Sequence, residues 1–156
     1  MRRLLAGLLV LVLSAAAVAA GLLALQSRDD AGVSGGPAGP GERVADHCPA
    51  HAAPVIHDRR RLSRAQIQTA LAQGNVVIAY RGAVPPAPLR RLQRDLTGPF
   101  DAEIAAAGQA VILARASAPA GLAWGRRLAA GPSQAQALQD FAEAWLGKGA
   151  AEPCPR

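Results

Sequence analysis

His47, Cys48, His51 and His57 fall within eleven positions of one another. Imidazole and thiolate together hold copper or zinc, and His47-Cys48-x-x-His51 is a ligand-like spacing. Two considerations weigh against a metal centre. Pro49 and Pro54 break the segment, and a cysteine committed to a disulfide is lost as a thiolate ligand. The segment therefore reads first as a polar loop, with no cofactor, and a metal site at His47, His51 and His57 stands as the alternative.

Other chemistry has less to stand on. Thioredoxin-type redox catalysis needs two close cysteines of lowered pKa, typically C-x-x-C, and the chain contains no such pair. All three histidines lie in one irregular segment, so no histidine is ordered against a serine nucleophile elsewhere. There is no G-x-S-x-G, no phosphate loop and no H-E-x-x-H. Ser63 and Ser133 read as helix caps, Ser117 as a turn residue, and Asp101 with Glu103 as a helix start. Trp124 and Trp145, the two tryptophans, read as core residues on a strand and a helix that face each other. The expectation is a protein that is not an enzyme.

The compartment comes from the N-terminus. Arg2 and Arg3 precede an uncharged apolar run from Leu4 to Leu25. Its length of about 22 residues makes a helix of about 33 Å, enough for a bilayer core of about 30 Å. Two readings stand: an uncleaved signal anchor over residues 1–26, and a cleaved signal with Ala17-Val18-Ala19 as the small-residue site. The run continues past that site, which favours the anchor. The basic start keeps the N-terminus cytoplasmic. The expected location is a single-pass protein of the cell membrane with its C-terminal domain outside the cytoplasm, or a secreted or periplasmic protein after cleavage. Its partners would be the lipid bilayer, through the N-terminal helix, and an unidentified envelope protein or ligand, not nucleic acid.

Outside the cytoplasm, an even cysteine pair reads as a disulfide. Cys48 and Cys154 would close a loop of about 105 residues. Chain-entropy reasoning allows up to ~4–5 kcal/mol for such a loop, a large share of the ~5–15 kcal/mol that a domain has in total.

The net charge is +6, and 13 of the 17 basic residues lie from His47 onward against seven of the 11 acidic ones. A basic exported surface could meet anionic headgroups or acidic polysaccharide. Sixteen of the basic residues are arginine and alanine is abundant, so a proteome-wide composition bias explains the excess more simply. Arg59-Arg60-Arg61, beside Asp58, reads as a solvated loop.

Residues 27–46 are rich in glycine, proline and small polar side chains and read as a flexible tether. Residues 47–156 then form one small domain. Val55-Ile56 suggests a short edge strand. Ser63 with Gln66 is a capping box, Leu62 can staple to Ile67, and Gly74 stops the helix. Residues 75–80 are a continuous β-branched run, hence a buried strand. Pro85-Pro86-Ala87-Pro88 leads into a helix with Leu89, Leu92 and Leu96 at helical spacing. After Gly98-Pro99 comes a short helical turn capped by Asp101, then a strand over 110–115. Residues 122–128 read as a third strand, its hairpin partner. Ser133 with Gln136 repeats the capping box ahead of the stripe Leu138, Phe141, Ala142, Trp145 and Leu146, with Gly147 as the stop.

Helix, strand, helix, strand, strand, helix implies an α+β fold: a small mixed sheet covered by helices, behind an N-terminal transmembrane helix. A thioredoxin-like layout suits this order, as do other two- and three-layer α+β folds.

The stretches LAQGNVVIAYRG (71–82), PPAPLRRL (85–92), AWGRRL (123–128) and FAEAWLGKGAAEPC (141–154) resemble the bacterial family called domain of unknown function 3105. The resemblance spans roughly residues 47–154. It implies a membrane segment and Gly/Pro linker ahead of a small domain bracketed by an early and a C-terminal cysteine, and it implies no activity. Where the family pattern has H-x-L-E-H-G, the matching positions include Thr69, Ala72, Gln73 and Gly74. Of these four, only the glycine is kept, so a function resting on those histidines does not carry over. The reading that results is a non-catalytic binding or interaction module at the cell envelope. The alternative is a metal- or redox-handling factor using His47, Cys48, His51 and His57.

Overall fold

The structure is a computed structural model that describes residues 39–49, 56–152 and 154. One compact unit begins at Gly39. The run Leu4–Leu25 lies outside the described residues. Among those residues no helix is long and apolar enough to cross a membrane.

The unit is α+β. Its strands are β1 (Glu42–Arg43), β2 (Val76–Tyr80), β3 (Val111–Arg115), β4 (Ala120–Ala123) and β5 (Arg126–Leu128). Its helices are α1 (Arg64–Gln73), α2 (Ala87–Thr97), α3 (Ala102–Ala106) and α4 (Ala135–Trp145), the last entered through a 3-10 turn at Pro132–Gln134. The mixed sheet has the order β1-β5-β4-β2-β3. Only β2 and β3 run parallel, because α2 and α3 carry the chain back between them as a parallel pair requires.

The first helix forms as expected. Ser63 Oγ accepts from Gln66 N at 3.2 Å and Gln66 Oε1 from Ser63 N at 2.9 Å, and the left-handed Gly74 caps the other end. All five residues of β2 are buried. The sheet has a core on each face, which is why β2 reads as a continuous apolar run. Val76, Ile78 and Tyr80 pack with Leu89 and Leu92 of α2 and with Leu138, Phe141 and Trp145 of α4. Val77 and Ile112 pack on the opposite face with Ala70 and Leu71 of α1.

Several expectations are corrected. Residues 122–128 are not one strand. Gly125, at φ +65°, turns the chain with Trp124 and splits the segment into the tail of β4 and the whole of β5. Neither strand is a hairpin partner of β3. The outer edge of β3 is already occupied: Asp58 Oδ1 accepts from Leu113 N at 2.8 Å, Arg59 N donates to Leu113 O at 2.6 Å, and Arg115 N to Arg60 O at 2.9 Å. The chain therefore passes the end of β2, where Ala116 N donates to Tyr80 O, and β4 takes the free edge of β2.

The edge strand expected at Val55-Ile56 is absent at Ile56, and Val55 lies outside the described residues. That edge is served instead by the bridge between Arg60 and Ala114. The opposite edge is β1, within the segment expected to be tether. Residues 39–46 belong to the fold because Trp145 Nε1 donates to Pro40 O at 2.8 Å, Val44 N to Gly125 O at 3.1 Å and Gly125 N to Asp46 Oδ2 at 2.6 Å. The box expected at Ser133 and Gln136 is displaced. Gln134 Oε1 accepts from Gly131 N at 3.2 Å, while Gln136 Nε2 bonds Asp140 Oδ1 at 2.8 Å. Pro132 supports a 3-10 start, which moves the α-helical turn past Ser133. Trp124 and Trp145 do not face each other. They belong to the cores on opposite faces of the sheet, since the β4–β5 turn carries Trp124 to the α1 side.

Candidate functional site

Cys48 and Cys154 are joined in a disulfide, with Cα atoms 5.4 Å apart and a sequence separation of 106. It ties the entry of the domain to its tail. Both sulfurs are bonded, so neither is a thiolate ligand. His47 and His57 are exposed, and His51 lies outside the described residues. Among the described residues no cluster of three or more histidines, cysteines and carboxylates could hold a metal. Asp101 caps α3, its Oδ1 accepting from Glu103 N at 2.7 Å and Ile104 N at 3.2 Å.

The candidate site lies instead on the α1 side of the sheet. The strand register sets Ala114, Ala79 and Ala120 side by side across β3, β2 and β4. The next row along is Ile112, Val77, Leu122 and Arg127. Side chains of one carbon leave a trough beside the taller row, and α1 packs on the taller row through Ala70 and Leu71. The result is a groove of about 400 Å³. Leu62, Ile67 and Leu122 contribute apolar walls, and Arg61, Arg115 and Arg127 stand in its lining. All three arginines are exposed, and none forms an ion pair with a carboxylate of the described residues. At one end Arg81 Nε and Nη2 donate to Ser117 O at 3.0 and 2.8 Å, which fixes the loop between β3 and β4.

Below the sheet end, Tyr80 is fully buried. Burial pushes its phenol up from 10.0; the nearby Asp58 charge adds to this, while Arg115 and Arg59 oppose it. Tyr80 Oη donates to Arg59 O at 3.4 Å. The groove joins an apolar floor to positive charge that no carboxylate of the described residues pairs, a combination suited to holding an apolar segment with acidic flanks.

Sequence reasoning missed this site. The groove depends on a row of alanines drawn from three strands, and alanine carries no chemical signal on its own. Comparison with protein-family models, with curated proteins and with solved structures finds no match for this chain.

Proposed function

We propose that this protein is a non-catalytic binding module of the cell envelope. It is anchored by Leu4–Leu25 with its N-terminus cytoplasmic, and residues 47–156 are displayed outside. The groove beside the alanine row receives an apolar, acidic segment of a partner protein. The observation that carries the reading is this groove, with its apolar floor and three arginines that no carboxylate of the described residues pairs. The disulfide supports the exported location, because such bonds persist in oxidising compartments.

A parallel crossover followed by an antiparallel hairpin and a closing helix fits a thioredoxin-like layout used as a scaffold without a C-x-x-C pair. The resemblance to domain of unknown function 3105 points the same way. Metal or redox handling through His47, His51 and His57 draws no support from two cysteines that are bonded to each other.

Photo-crosslinking tests the reading. With a benzophenone amino acid replacing the exposed Ala118 in the full chain in cells, one adduct of defined mass is expected. It should disappear when Arg61→Glu and Arg127→Glu are combined. No adduct, or one that survives the charge reversal, overturns the groove as the binding surface.

A further inference from the structure

A second cavity lies against the other side of β3 from the groove, along α2. It measures about 390 Å³ and is lined by Arg59, Arg90, Arg91 and Arg94, with Gly98 and Pro99 at one end. The four arginines line it from two separate parts of the chain. Arg90, Arg91 and Arg94 sit at i, i+1 and i+4 on α2. Arg59 comes from the segment that edges β3.

Among the described residues, two carboxylates pair with this set. Asp95 Oδ1 lies 3.9 Å from Arg94 Nε, and both side chains are exposed, so this contact is weak. Asp58 is different. Its side chain is 9% exposed, its Oδ2 lies 3.1 Å from Arg59 Nε, and its Oδ1 accepts from Leu113 N and Gln93 Nε2 at 2.8 and 3.0 Å. The buried Gln93 also donates to Val111 O at 2.9 Å. Asp58 is thus held by the sheet edge and by α2, and it holds Arg59 at the cavity. Arg90 and Arg91 have no ion-pair partner among the described residues.

Four guanidinium groups against one buried and one exposed carboxylate leave the cavity positive. Planar guanidinium forks match tetrahedral oxyanions, which accept several charge-assisted hydrogen bonds at once. We propose that this cavity binds a phosphate group, with Arg59, Arg90, Arg91 and Arg94 as ligands and Asp58 as the residue that positions Arg59. The site is independent of the groove on the α1 side of the sheet.

The phosphate could be free in solution or carried by a lipid headgroup, and one experiment separates these. The full chain in a zwitterionic detergent is titrated at constant ionic strength with inorganic phosphate and, in parallel, with dihexanoyl phosphatidylglycerol below its micelle concentration, by calorimetry. Binding of both assigns a general phosphate site; binding of the lipid alone assigns a headgroup site. In either case Arg90→Gln with Arg91→Gln should weaken binding by about tenfold or more. Arg59→Gln should weaken it too, whereas Arg64→Gln on α1 and the groove change Arg127→Glu should not. The mass of the intact disulfide and an unchanged melting temperature report that the variants are folded. No binding of either probe at millimolar concentration, or equal loss in Arg64→Gln, overturns the proposal.

Discussion

The side-chain oxygen of Asn75 accepts the backbone N–H of Ala110 at 2.9 Å. Asn75 is 1% exposed and its Nδ2 donates to Ala105 O at 2.8 Å and Ala70 O at 3.1 Å. One buried amide thereby ties together the end of α1, the short α3 and the start of β3. Ala70 O also accepts from Asn75 N at 3.0 Å and Ala105 O from Gly108 N at 3.1 Å, so Asn75→Ala leaves one buried backbone group, the Ala110 N–H, without its partner, at ~1–3 kcal/mol. A loss of about 1–3 kcal/mol is expected in urea unfolding. Asn75→Asp should do no better, since a carboxylate would face two carbonyls.

Breaking the Cys48–Cys154 bond should lower stability by up to ~4–5 kcal/mol. Cys48→Ser and chemical reduction should lower the melting temperature to a similar extent, because both release the same loop. The intact mass of the protein should show no alkylatable thiol before reduction. Two free thiols at that stage would remove the argument for an oxidising compartment.

Tyr80 is the single tyrosine, so its absorbance titration is unambiguous. Its pKa is raised by burial above 10.0, and the folded state therefore keeps the proton longer than the unfolded state. The stability tied to the neutral phenol is fully present below about pH 10 and is lost as pH rises from there through the folded pKa. Alkaline unfolding should begin above pH 10 and coincide with the appearance of tyrosinate. Tyr80→Phe should remove this component and change neutral-pH stability little, since the Oη bond to Arg59 O is long at 3.4 Å.

Trp145 holds the entry segment onto α4. Its Nε1 donates to Pro40 O, and the Arg126 guanidinium lies 4.6 Å from its ring centroid. Trp145→Phe keeps the apolar bulk, loses the hydrogen bond and weakens the cation–π contact. A loss of about 1–2 kcal/mol is expected, with faster proteolysis within residues 39–46 as the local readout.

Local signals in the chain determined much of this protein. Ser63, Gln66 and Gly74 bound α1 through short-range hydrogen bonds, which depend on neighbours three or four residues away. The buried run of β2, the proline entry to α2 and the Asp101 cap are legible for the same reason. So is the cysteine pair, because an even count together with an apolar N-terminal run points to oxidation.

The tertiary structure decided what depends on pairing between distant segments. The sequence pattern makes residues 122–128 a plausible single strand beside β3, but Asp58, Arg59 and Arg60 already occupy that edge, so β4 pairs with β2. Residues 39–46 look like tether by composition, yet Trp145 and Gly125 bind them to the domain. The alanine row of the groove has no local pattern, and Arg59 stands far in sequence from Arg90, Arg91 and Arg94 of α2. They meet only because strand register and the crossover of α2 bring them together, and register is set by edge hydrogen bonds and by burial on both faces of the sheet.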